Sequence, residues 1–226
     1  MPFARFRHWR ALRASLLALL LLLALLHGRA WDGDVMLAAA QRLGGRTPVA
    51  TQALQTLTRN VGALNDEAKV AAFNQFFNRH IAYADDLKVW GVTDYWASPL
   101  ESLSKGAGDC EDYAIAKYFS LHAAGVPVAR MRLVYVRAVI TQRGLQTSQA
   151  HMVLAYYASP QADPLILDNL VEEVLPASKR SDLTPVFSFN SDSLWMGAAP
   201  QATSDSVSRL SRWREVLAKA QAEGFF

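Results

Sequence analysis

The stretch Gly106-Ala107-Gly108-Asp109-Cys110-Glu111-Asp112-Tyr113 breaks a glycine-rich turn directly into a helical run. Tyr113, Ala114, Ile115, Tyr118, Phe119 and Leu121 keep one apolar face, and Gly125 with Pro127 ends it. Cys110, the only cysteine of the 226-residue chain, therefore falls in the first turn of a buried helix. Helix N-termini expose unpaired N–H groups and about half a positive charge, which favour a thiolate and can later hold an oxyanion. Cys110 is thus a candidate nucleophile. The competing reading is a small core residue, as most free cysteines are. Gly106, Gly108 and the three flanking acids weigh against it.

A nucleophilic thiol needs a base within hydrogen-bond reach. Downstream of residue 30 the chain offers His80, His122 and His151. His122 lies on the same helix as Cys110 and, at about 1.5 Å per residue, roughly 18 Å away, so it is excluded. His80 ends an earlier helix and stays an alternative. The pattern after the helix changes to strands: Arg130 to Ile140, a turn at Arg143-Gly144, Ala150 to Tyr157, a turn near Ser159-Pro160, and Pro164 to Asp168. These predict an antiparallel meander. His151 opens the second strand, with Val153 and Ala155 on its own face and Met152, Leu154 and Tyr156 on the other. Asp168 ends the neighbouring strand, where it can orient an imidazole. Taken singly, His151 reads as a surface histidine at a turn and Asp168 as a strand-end cap.

Asp109, Glu111 and Asp112 admit two readings. Three carboxylates in four residues begin an oxygen shell for a hard cation, and acids at a helix N-terminus also serve as plain caps. Their spacing is not that of an EF-hand.

Around this centre the chain reads as one α+β domain, residues 31–226, with a helical N-terminal part packed on an antiparallel sheet. Residues 32–59 form a short helix, a turn at Gly44-Gly45 and a second helix. Asn65 caps a core helix carrying Val70, Phe73, Phe76, Phe77 and Ile81 on one face. Residues 83–108 read as a long aromatic loop walling a site. Residues 177–203 read as one or two edge strands with loops, and Ser204 to Ala222 as a closing helix with Val207, Leu210, Trp213 and Leu217 on one face.

Residues 1–30 carry five arginines and an uncharged run from Ala14 to Leu26, the parts of a secretory signal peptide cleaved after Ala30; a retained signal anchor is the alternative. Without them the chain has 18 basic and 20 acidic residues, a net charge of −2 against +3 for the whole. The basic character belongs to the export segment and gives no case for nucleic-acid binding. A lone cysteine excludes an internal disulfide, which suits a bacterial periplasm.

A helix-borne Cys, a strand-borne His and a strand-borne Asp follow the order of the transglutaminase-like branch of the papain-type superfamily. Tyr95-Trp96-Ala97-Ser98-Pro99-Leu100-Glu101, Gly108-Asp109-Cys110-Glu111-Asp112-Tyr113-Ala114, His151-Met152-Val153-Leu154 and Leu167-Asp168-Asn169 resemble the bacterial transglutaminase-like cysteine proteinases over about residues 65–175. The resemblance implies a papain-like, transglutaminase-like fold and a Cys110–His151–Asp168 triad. It implies calcium-dependent cleavage of the N-terminal region of a large surface adhesin at an Ala-Ala site, releasing the adhesin and dispersing biofilm. It further implies calcium held by Asp109, Glu111 and Asp112, with Asp94 a candidate to complete the shell. An inner-membrane cyclic-di-GMP receptor is the implied partner of an otherwise monomeric protease. Trp96 is a candidate second oxyanion donor or an aromatic wall. Two alternatives stand beside this: transglutaminase or amidase chemistry on the same triad, and an exported binding domain in which Cys110 is structural.

Overall fold

The structure, a computed structural model, describes residues 31–199, 201–203, 207 and 210–226. The export segment read over residues 1–30 lies outside them. Helices α1 (Gly33–Leu43) and α2 (Thr47–Val61) form the expected pair, and α3 (Asp66–His80) follows with the Asn65 side chain accepting from the Ala68 N–H. Residues 83–108 differ from the expected loop. They hold a two-residue strand β1 (Ala82–Tyr83), a single turn α4 (Asp86–Val89), α5 (Pro99–Lys105) and a second short strand β2 (Ala107–Gly108). Ser98 and Glu101 close a reciprocal capping box with Pro99 in the first turn, so local hydrogen bonding makes a helix where aromatic content suggested a loop.

The cysteine helix α6 (Cys110–Ala123) leads into β3 (Met131–Gln142) and β4 (Leu145–Tyr156), paired antiparallel along their whole length. Arg143 and Gly144 both take positive φ, 53° and 80°, the geometry of a two-residue hairpin turn matched to strand twist. The second strand starts earlier than its pattern suggested. Leu145–Ala150 are exposed and His151–Tyr156 buried, so the hairpin continues beyond the body of the domain, and His151 marks where it enters the core. Strands β5 (Leu165–Leu167), β6 (Leu175–Pro176), β7 (Leu183–Phe189) and β8 (Leu194–Met196) complete a six-stranded sheet in the order β6-β5-β4-β3-β7-β8, antiparallel at every pairing. β7 pairs on both sides, so only β8 of these two is an edge strand.

The strand alternation sorts the sheet into two faces. Met131, Leu133, Met152, Leu154 and Tyr156 join the helices in the main core, and Val134, Val136, Val153, Ala155 and Ile166 form a second cluster on the far side. The closing helix α7 (Ser211–Ala222) is shorter than expected, starting beyond Leu210. It inserts Trp213, fully buried, against Phe119 at 5.4 Å between ring centroids and edge-on to Tyr118 and Phe189. Those contacts tie the last helix to both α6 and the sheet. Trp213→Ala is expected to cost about 3–5 kcal/mol, read as a lower urea midpoint at unchanged slope.

Candidate active site

Cys110 opens α6, with Asp109 as the N-cap residue. Its thiol donates to Glu111 Oε2 at 2.8 Å and also meets the Met152 backbone N–H. Burial, then the Glu111 carboxylate beside it, pushes the thiol well above its ordinary pKa. Glu111 is held by a second bond, from the Tyr135 hydroxyl of β3 at 3.0 Å.

One residue before Met152, His151 is 2 % exposed and bonds Asp168 through Nε2–Oδ1 at 2.8 Å. A carboxylate only accepts, so Nε2 carries the proton and Nδ1 is the basic nitrogen. The antiparallel pairing Leu154↔Leu167 makes this contact, because it sets the residue after β5 beside β4. Asp168 is the more heavily supported partner. Leu170 N–H bonds Oδ1 at 3.0 Å and Arg180 Nη2 bonds Oδ2 at 2.7 Å, while Lys117 Nζ and Asn78 Nδ2 donate to its backbone carbonyl. Burial alone would raise its pKa; the bonds from His151, Leu170 and Arg180 outweigh that and hold it at about 2. The structure thus brings His151 and Asp168 together, while the thiol faces Glu111. His80 is committed elsewhere, with Nδ1 on the Phe76 carbonyl at 2.8 Å and its ring stacked on Phe76. Arg180 and Lys117 were not singled out from sequence; nothing in their spacing marks them.

The acids sort differently from their sequence order. Asp86, Asp109 and Asp112 each place a carboxylate oxygen within 4.8 Å of the others. Asp86 Oδ2 accepts from Tyr95 N–H, and Asp112 Oδ1 accepts from Ala97 N–H at 2.8 Å. Asp109 makes no side-chain capping bond, so the plain-cap reading does not describe it. One oxygen of each, Oδ1 of Asp86, Oδ1 of Asp109 and Oδ2 of Asp112, is buried with no hydrogen-bond partner among the described residues. Burial first, then repulsion from Glu111, Asp112 and Asp86, lifts Asp109 to about 9; burial likewise lifts Asp112 to about 7 and raises Asp86. Gly108 leaves room for this packing, since a Cβ there would collide with the Asp112 carboxylate. Three carboxylates that each keep one buried, unpartnered oxygen among the described residues offer oxygen-only ligands that fit a hard cation such as calcium. Glu111 lies beside Asp109 but outside this trio, turned to the thiol and Tyr135. Asp94 also stands apart, paired with Arg212 at 3.0 Å. Asp86 was missed because its link to residues 108–112 is made by the parallel pairing Tyr83↔Gly108, which no short spacing announces.

Trp96 is buried and stacked on Phe189, with ring centroids 5.9 Å apart, as an aromatic wall would be. Its indole Nε1 has no partner among the described residues.

This architecture has solved relatives. Legionella pneumophila LapG in its EGTA-treated form superposes with a TM-score of 0.72 at 35% identity, covering 84% of this chain and 97% of that one. The calcium-bound form gives 0.70 at 36%, covering 83% and 98%. No curated protein matches the chain. The family model described as bacterial transglutaminase-like cysteine proteinase matches residues 50–185, a span that runs from α2 through the acid cluster, Cys110, His151 and Asp168 to β7. Fold and sequence agree with that model over more than half its length: the chain belongs to the bacterial transglutaminase-like cysteine proteinases and is by family a cysteine protease.

Proposed function

We propose that the protein is a calcium-dependent cysteine endopeptidase of the periplasm that cleaves the N-terminal region of a large surface adhesin at an Ala-Ala bond. The observation that carries the catalytic part is the buried His151–Asp168 pair, adjacent along β4 to the Met152 N–H that meets the Cys110 thiol. In the reacting arrangement the thiol leaves Glu111 for Nδ1 of His151 and gives up its proton there. The thiolate sulfur attacks the scissile carbonyl carbon, and the developing oxyanion is met by N–H groups at the start of α6. His151 returns the proton to the leaving amine, giving a thioester that water hydrolyses with His151 again as base. Asp168 keeps Nε2 protonated throughout, so that Nδ1 is the nitrogen that takes and returns the proton, and Arg180 fixes the carboxylate from its other side.

A cation held by Asp86, Asp109 and Asp112 would neutralise the acids next to the nucleophile and stiffen the first turn of α6. The adhesin substrate, the Ala-Ala bond and control by an inner-membrane cyclic-di-GMP receptor rest on the family resemblance. The calcium-bound form of LapG supports the choice of metal.

Asp168→Asn tests the orienting role. It reverses the hydrogen-bond preference at Nε2 and is expected to lower kcat on an adhesin fragment by about 10³–10⁴-fold. Unchanged kcat in a folded Asp168→Asn protein would remove Asp168 from the mechanism.

A further inference from the structure

The sheet face opposite the helices holds a cavity of about 500 Å³, a size typical of small-ligand sites. Its lining is mostly aliphatic, including Val134, Val153, Ala155, Ile166, Leu183 and Pro185, and among the described residues its only charged lining side chains are Arg132 and Arg180.

The two arginines offer different things. Arg180, 5 % exposed, spends Nε and Nη2 on Asp182 and Asp168, so its charge is balanced. Its Nη1 is buried and has no partner among the described residues. That nitrogen can take a neutral acceptor such as a carbonyl oxygen. Arg132 has no carboxylate partner among the described residues. Its guanidinium lies 4.0 Å from the Trp195 ring and 4.6 Å from the Tyr157 ring, and its buried Nε is also unpartnered. Leaving buried donors without acceptors costs about 1–3 kcal/mol each. The cavity therefore presents one positive charge that has aromatic faces but no carboxylate against it among the described residues, one neutral donor and an aliphatic floor. A dianion would be undercompensated there, and a simple alkyl chain would leave one donor unmet.

From this we propose that the cavity binds the free carboxyl end of a short peptide with small aliphatic side chains. The terminal carboxylate sits at Arg132, a peptide carbonyl accepts from Arg180 Nη1, and the side chains lie on Val153, Ala155 and Ile166. Because Arg180 also holds Asp168, an occupant would touch a residue one bond away from the catalytic histidine's partner.

The test is calorimetric titration of the protein with acetyl-Ala-Val-Ala as the free acid, as its C-terminal amide, and with decanoate. Saturable binding of the acid, at least tenfold weaker binding of the amide and of decanoate, and at least tenfold loss in Arg132→Met are expected. Ala155→Phe, which fills the floor and leaves both arginines, is expected to abolish binding. Methyl shifts of Val134, Val153 and Ile166 on adding the acid to wild type locate the site whether or not the variants fold. No saturable binding, equal binding of acid and amide, decanoate binding as tight as the peptide, or shifts confined to other methyls would overturn the proposal.

Discussion

Cys110→Ala is expected to lower kcat/KM for an adhesin N-terminal fragment by at least about 10⁴-fold, because no other group at the site can form the acyl intermediate. Melting temperature is expected to change little. The thiol is only partly buried, packs at the margin of the core, and its main polar contact is with Glu111, which Tyr135 still holds. The combination separates a nucleophile from a packing residue: a core cysteine would lose stability on truncation while leaving cleavage proportional to the folded fraction. Residual cleavage above a hundredth of wild type would place the nucleophile elsewhere.

The second large effect concerns the cation. Three clustered carboxylates, each with one buried oxygen unpartnered among the described residues, destabilise the folded state until something positive joins them, and a ligand that binds only that state stabilises it by about 2.7 kcal/mol at a hundred times its Kd. For a domain of this size calcium is therefore expected to raise the melting temperature by roughly 5–10 °C over EGTA, and chelation is expected to abolish cleavage. Asp86→Asn is expected to remove most of the calcium-induced rise, and Asp94→Asn to leave it intact, since Asp94 faces Arg212. Equal melting with calcium and EGTA in the wild type, or a full rise in Asp86→Asn, would contradict the site.

Much of this was legible in the chain because the governing signals are local. The change from helical to alternating periodicity after Gly125 marks the boundary between α6 and the sheet, and Arg143-Gly144 marks the hairpin that brings β4 back along β3. The meander then makes Asp168 the neighbour of His151 by strand order alone. What escaped depends on pairings between distant segments. Asp86 reaches Asp109 and Asp112 only through the β1–β2 contact, and Arg180 reaches Asp168 from beyond β6. Family resemblance and sequence proximity group Glu111 with the metal acids; its side chain instead turns to Cys110 and Tyr135, a choice set by where β3 passes. The Ser98–Glu101 capping box is present in the sequence, but it starts a helix of only seven residues set among aromatics, too short for apolar periodicity to mark it.

Mass spectrometry of an adhesin N-terminal fragment containing an Ala-Ala bond, incubated with the protein in calcium, tests the proteolytic assignment most directly. The expected result is two product masses that differ from the substrate by one water in sum, with the new ends at the Ala-Ala bond, and no products from Cys110→Ala. An intact fragment joined to an amine donor through a glutamine side chain, or cleavage that persists in Cys110→Ala, would contradict it.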